Sequence, residues 1–291
     1  MEQLVVRRAV LDDKRTVEDL TSAVERFVLQ QAWGDVERAL RVQTHGRAAN
    51  GATVDLFLGE RSSQAGCLWG SWISPETVAQ IRAFGLSDDW PVEETVAALL
   101  PAIVNVLREK RVETVSFIGM EQWLLDGLRA NGFRHNNTIV TMHKTDLGVP
   151  SPGNTQAEIG PATEGDIPAI LAIDQAAFEP LWRNTPYALE EQLKSSPFFV
   201  IARWDGQAVG YTYVSMTGRH AHLTRIAVSP AYHGEGIGVR LLAEAIAFCR
   251  RRAVFGITLN TQQDNRRAHR LYEWFGFRPL GKEAEVVIYT L

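Results

Sequence analysis

The feature that most constrains this 291-residue chain is that it repeats itself. RAFGLSDDWPVEETVAALL, from Arg82 to Leu100, and TRIAVSPAYHGEGIGVRLL, from Thr224 to Leu242, have the same length and keep a constant offset of 224 − 82 = 142. In that register Leu86-Ser87 falls on Val228-Ser229, and Leu99-Leu100 on Leu241-Leu242. Further on, Asn131-Gly132-Phe133 matches Phe275-Gly276-Phe277 at an offset of 144. Two copies of one pattern of apolar and turn residues are expected to form two similar units. The length suits two ordinary domains. The stretch Leu147 to Gln156 is rich in Pro, Gly, Ser and Asn and reads as the connector. The expected division is a domain over 1–148, a linker over 149–156 and a second domain over 157–291.

Local signals give the same order of elements in both halves. In the first, a strand at 4–9 is followed by a long helix capped by Asp12 or Asp13 and reaching about Gln31, then a helical piece at 35–42 and a turn at Asn50-Gly51. Strands follow at 53–58, 67–73 and 81–86, then a helix at 91–110, a strand at 112–118, a helix at 121–130 and two closing strands around Phe133 and 139–143. In the second half a strand at 157–160 leads to a helix capped by Thr163, with Asp166 at a capping-box position, and Thr185-Pro186 opens another helix. Strands at 198–204 and 208–216 flank an Asp205-Gly206 hairpin turn. A strand at 220–228, a helix at 236–252, a strand at 257–261, a helix at 265–275 and two final strands complete it.

The chemistry gathers after the strand ending at Val228. A Ser-Pro turn and three alternating glycines, Gly234, Gly236 and Gly238, lead directly into an amphipathic helix. Glycines allow close backbone approach, and the unpaired N–H groups of a helix start favour an anion, so the loop is expected to hold phosphate. It is not a Walker loop, because Val239-Arg240 stand where Lys-Ser/Thr would follow, and the dinucleotide pattern fails at Val239.

The segment His233–Gly238, HGEGIG, resembles the acetyl-CoA pyrophosphate loop of the GNAT superfamily of N-acetyltransferases, Gln/Arg-x-x-Gly-x-Gly/Ala. His233 stands where Gln or Arg is usual, and Gly236 and Gly238 match. Asn265, Ala268, Leu271, Tyr272, Gly276 and Phe277 match the NxxAxxLYxxxGF signature of the same superfamily at every patterned position. The resemblance implies an α/β (α+β) fold of two tandem GNAT-like domains, each a mixed, mostly antiparallel twisted sheet flanked by helices. It implies acetyl-CoA as co-substrate, held by His233, Gly234, Glu235, Gly236, Ile237, Gly238 and Asn265, with main-chain groups of Ile226, Ala227 and Val228 along the pantetheine arm. Tyr272 would supply a proton or hydrogen bond to the leaving thiol, after direct attack by an amine in a ternary complex. Opposite HGEGIG the first copy has Pro91-Val92-Glu93-Glu94-Thr95-Val96, with no glycine and two carboxylates, so it is expected to be degenerate and without cofactor.

Acyl transfer to an amine also needs that amine to be neutral. In relatives that acetylate protein N-termini a glutamate can stand twelve residues before the tyrosine, and here that position is Asn260, whose amide accepts no proton. His222 and Glu179 are the candidate bases. Phe178, Trp182 and Tyr187 are the candidate acceptor wall, and Cys249 reads as core. The expected activity is acetyl transfer to a primary amine of a small molecule. A peptide N-terminus as acceptor, and a non-catalytic acyl-CoA-binding module, are the alternatives. A net charge of −4 gives no reason to expect nucleic acid as partner. No apolar run approaches membrane-span length, the N-terminus lacks a signal-peptide core, no metal site stands out, and a cytoplasmic location is expected.

Overall fold

The computed structural model describes residues 4–30, 33–45, 53–73 and 77–291; the turn expected at Asn50-Gly51 lies outside them. The chain forms two compact units, Met1–Asn137 with Ala284–Leu291, and Thr138–Glu283.

The N-terminal unit contains β1 (Val5–Arg8), α1 (Lys14–Ser22), β2 (Arg26–Leu29), α2 (Trp33–His45), β3 (Thr53–Arg61), β4 (Gln64–Ile73), β5 (Val78–Leu86), α3 (Val92–Glu109), β6 (Thr114–Gly119) and α4 (Gln122–Ala130). β1, β3, β4 and β5 pair antiparallel in that order, and β5 pairs parallel with β6 from Val78↔Thr114 to Ile81↔Phe117. Beyond Ile81 the edge of β5 is taken by β2, antiparallel from Leu29↔Ala83 to Arg26↔Leu86. The helix expected to reach Gln31 therefore ends at Ser22. Arg26-Phe27-Val28-Leu29 is a β-prone run that finds an open strand edge, and Val28 is buried in the core while Phe27 is exposed, the alternation of a strand. Gly85 makes room for α1 against β5, since a Cβ there would stand 1.8 Å from the Leu20 carbonyl oxygen of α1.

The C-terminal unit begins within β7 (Arg134–Lys144) and continues through β8 (Glu158–Pro161), α5 (Ile167–Ala177), α6 (Pro186–Ser195), β9 (Phe198–Trp204), β10 (Gln207–Thr217), β11 (His220–Val228), α7 (Ile237–Arg251), β12 (Gly256–Gln262) and α8 (Arg266–Trp274) into β13 (Arg278–Thr290). Its sheet runs β7-β12-β11-β10-β9-β8, all antiparallel except the parallel pair β11 and β12. The expected caps form: Thr185 Oγ1 accepts from Ala188 N at 3.0 Å, and the Asp166 carboxylate accepts from Thr163 N at 2.9 Å.

The repeat is carried by the backbone as well. β5 and β11 keep the 142-residue offset at both ends, and so do the parallel pairings Val78–Ile81 with Thr114–Phe117 and His220–Leu223 with Gly256–Leu259. α4 and α8 keep 144. The division into units departs from a cut in the linker, because each half ends by lending a strand to the other unit's sheet. β7 pairs with β12 from Ile139↔Gln262 to Lys144↔Ile257, burying Val140 and Met142 in the C-terminal core. The last residues of β13 pair with β6 from Glu285↔Gly119 to Thr290↔Thr114, burying Val287 in the N-terminal core. In each half, the two closing strands expected from sequence are one continuous strand.

Candidate active site

The site begins as an irregularity in β11. Tyr213 of β10 lies opposite Arg225 and Val214 lies opposite Leu223, so Thr224 is an extra residue, a β-bulge. On its other edge β11 pairs with β12 only as far as Leu223↔Leu259. Past that point Thr224 to Val228 on one side and Asn260 to Gln262 on the other line a cleft of about 600 Å³. An unpaired stretch of strand edge offers backbone donors and acceptors to anything extended that lies along it.

The glycine loop closes one end. Gly236 precedes α7 in the left-handed region, φ +74°, and Gly234 has φ +91°, conformations that L side chains rarely adopt. The connector braces this loop: Asn154 Nδ2 donates to the Glu235 carbonyl at 2.9 Å and Asn154 N donates to the Gly236 carbonyl at 3.3 Å. Gly153 lies so close that a Cβ would meet Arg240 N at 2.3 Å. His233 is fixed from both sides. An Arg267 N–H donates to Nδ1, which leaves the proton on Nε2 to donate to the Val228 carbonyl at 3.1 Å. Partial burial and the Arg267 charge lower its pKa, which favours this neutral tautomer.

α8 forms another wall. Asn265 caps it, its Oδ1 accepting from Ala268 N at 3.1 Å, and Asn265, Arg267, Ala268, Leu271 and Tyr272 all line the cleft. Tyr272 is 6% exposed and its ring meets Phe277 with centroids 5.8 Å apart. Burial pushes its phenol pKa well above the usual value, so the hydroxyl stays protonated. Asn260 lines the cleft and its Oδ1 accepts from Thr141 Oγ1 at 3.0 Å. Cys249 is buried in α7 with its thiol pushed up to about 11, as expected of a core thiol.

Opposite lies the segment between α5 and α6, with Phe178 and Trp182 in the lining. It is tied to the sheet by a fully buried carboxylate that the sequence alone did not reveal. Asp174 accepts from Asn184 N at 2.7 Å, from Asn184 Nδ2 at 3.1 Å and from the Tyr211 hydroxyl, and Arg225 Nε stands 3.4 Å away. A buried carboxylate stripped of such partners would cost several kcal/mol, on the order of 3–5. Arg225 continues the chain of contacts by donating to the Trp182 carbonyl at 2.5 Å, with its guanidinium 4.1 Å from the Phe178 ring centroid. The signal for this cluster was an acid in the middle of an apolar helix, AILAIDQAA, four residues after Ile170 and so on the same, buried face, where its charge demands partners.

The cleft thus brings together Ile226, Ala227, Val228, His233, Gly234, Gly236, Ile237, Gly238, Asn265, Tyr272, Phe178 and Trp182. Glu235, Glu179, His222 and Tyr187 lie outside its lining. Glu179 is exposed in the loop, and Tyr187 lies half-buried in α6. His222 sits where β11 and β12 are still paired, hydrogen-bonded to Thr258 Oγ1 at 2.9 Å, and burial lowers its pKa. Among the described residues no carboxylate lines the cleft, whereas Arg225 and Arg267 do.

The profile of the acetyltransferase (GNAT) family matches residues 167–277, a span that contains the bulge, the glycine loop and Tyr272. N-alpha-acetyltransferase RimI of Mycobacterium tuberculosis is 35% identical over 130 residues, 42% of this chain and 79% of that protein. A putative [ribosomal protein bS18]-alanine N-acetyltransferase of Bacillus subtilis is 27% identical over 118 residues, 40% of this chain and 77% of that one. Among solved structures, a tandem GNAT protein from the clavulanic acid biosynthesis pathway superposes with a TM-score of 0.65 at 14% identity, covering 99% of this chain and 98% of that one. The splayed parallel strands, the matched span and the RimI relative lead to one conclusion: the chain belongs to the acetyltransferase (GNAT) family and is an acyltransferase.

Proposed function

We propose that the C-terminal unit transfers the acetyl group of acetyl-CoA to a primary amine by direct attack in a ternary complex. One observation carries the reading: β11 and β12 part after Leu223 and Leu259, and the opening runs from the Gly236-capped start of α7 to Tyr272. The fit to acetyl-CoA, the acyl donor of the family, rests on matching chemistry. A free strand edge suits an extended amide-bearing arm, and a helix start with Arg267 beside it suits phosphates. When bound, acetyl-CoA supplies an activated thioester.

The chain's own residues do the rest. Main-chain groups of Ile226 to Val228 orient the arm, and the bulge at Thr224 re-aims the backbone beside the reacting carbonyl. Tyr272, protonated through the neutral range, donates to the departing sulfur. With no carboxylate in the lining and the Arg225 cation near the acceptor wall, the cleft favours the amine as free base over the ammonium. Phe178 and Trp182 give that amine an apolar wall.

The acceptor is proposed as a small molecule; a peptide N-terminus is the second reading, favoured by the names of the two relatives above. Incubating the protein with acetyl-CoA and a thiol reagent, alongside a set of small amines and a set of peptides with free N-termini, separates them by which set releases CoA. Bound acetyl-CoA with no release from either set would leave a binding module instead.

The N-terminal unit is proposed to be a copy without an acyl-CoA site. At the 142-residue offset, Ala83 to Leu86 correspond to Arg225 to Val228, and that edge of β5 is already paired with β2. The counterpart of the glycine loop is Pro91 to Val96, with Glu93 and Glu94 in the first turn of α3, where they would repel phosphate.

A further inference from the structure

The Asp174 cluster enters the chemistry above only through the charge of Arg225, yet it joins the floor of the cleft to its acceptor wall. Arg225 follows the bulged Thr224 on β11, and its partners divide into two groups. On one side stands Asp174 of α5, fully buried and also bonded to Tyr211 of β10. On the other are the Phe178 ring and the Trp182 carbonyl, both from the α5–α6 segment. The same segment is held again by Asn184, whose main-chain N–H and side-chain amide both donate to Asp174, and by Arg183 Nε, which donates to the Phe178 carbonyl at 2.8 Å. Loops are ordinarily the least constrained parts of a fold. This one is fastened at Phe178, Trp182 and Asn184 to a single buried carboxylate and its arginine.

We propose that Arg225, anchored by Asp174, is a positioning residue that holds Phe178 and Trp182 over the bulge and thereby sets acceptor affinity. The proposal rests on the reading of this cleft as the amine site. Arg225 touches neither of the reacting groups; it acts through the wall it holds. Only arginine has a planar fork that meets a carboxylate, a carbonyl and a ring face together, so lysine should restore the charge but not the geometry. Its loss should leave the acetyl-CoA edge of the cleft intact, because that edge is built by main chain from Ile226 to Val228 and by the glycine loop.

The test uses the full chain with two probe acceptors, a tetrapeptide with a free N-terminal alanine and phenethylamine. For whichever probe the wild type acetylates, Arg225→Gln is expected to raise the acceptor KM about tenfold or more, with kcat and the acetyl-CoA Kd within about twofold, and Arg225→Lys to fall between. Hydrogen exchange read on the same variants, without acceptor, is expected to speed up at residues 178–184 and to stay unchanged in α7. An unchanged acceptor KM, a parallel loss of acetyl-CoA affinity, or unchanged exchange at 178–184 would overturn the proposal. If the wild type acetylates neither probe, the acceptor reading fails by itself, and the exchange comparison still decides whether Arg225 holds the wall.

Discussion

Leu223 of β11 is paired with Leu259 of β12, and beyond that pair the two strands part. Ile81 and Phe117 end the equivalent pairing in the N-terminal unit, but there β2 takes the free edge. On the reading proposed above, the chain holds acetyl-CoA at one site. Titration calorimetry with acetyl-CoA should give a stoichiometry of one, and Gly236→Val should bring it to none, because valine at φ +74° is strained and its Cβ would press on Asn154 N, 3.3 Å away. A second site surviving in Gly236→Val would place acetyl-CoA in the N-terminal unit.

Tyr272→Phe removes a hydroxyl that has no hydrogen-bond partner among the described residues, so the fold should not register the change. Turnover should fall about 100-fold, within the usual range for a general acid, with the acetyl-CoA Kd within about twofold. Undiminished kcat would remove Tyr272 from the mechanism.

The pH dependence has a definite sign. A proton donor is active below its pKa, and burial raises that of Tyr272 above the ordinary tyrosine value of about 10. The rate should therefore show no alkaline loss attributable to Tyr272 at or below that value. Any rise in kcat/KM with pH should track the acceptor amine's own pKa, moving when amines of different basicity are compared, because among the described residues no carboxylate lines the cleft.

Arg267 stands at the glycine loop through His233 and has its charge in the cleft. Arg267→Ala should weaken acetyl-CoA binding about tenfold and flatten its salt dependence, with a smaller effect on kcat at saturation. If affinity measured between low and high salt is the same in both proteins, Arg267 does not meet phosphate.

Gly153 lies outside every recognisable motif, yet a methyl group there would collide with the backbone of α7. Gly153→Ala should displace the connector from the Glu235 and Gly236 carbonyls and weaken acetyl-CoA binding about tenfold, with little change in acceptor KM. Equal affinity for both proteins would free the connector of any role in shaping the loop.

Much of this was legible in the residues. The glycine loop and the Tyr272 face of α8 are local features, set by spacing, and a strand predicted at 220–228 is found with those bounds, whereas Asn265, read from the sequence as a cofactor contact, also caps α8. The exchange of β7 and β13 was not legible, because an apolar strand carries no mark of which sheet it will join. β2 was hidden for a related reason: RFVL is compatible with the end of a helix until the open edge of β5 is present. The bulge at Thr224 and the partners of Asp174 depend on register and long-range approach, which one sequence does not contain. His222 looked like a base because its strand leads to the site, but it lies on the still-paired part, bonded to Thr258.

The central claim is that the cleft of the C-terminal unit moves acetyl from acetyl-CoA to an amine. The direct measurement is mass spectrometry of amine and peptide acceptors after incubation with the protein and acetyl-CoA, with free CoA counted in parallel. The account predicts one acetyl gained for each CoA released, a rate reduced about 100-fold in Tyr272→Phe, and no reaction in Gly236→Val. Acetyl-CoA bound at the glycine loop with no acetylated product from any amine would contradict it.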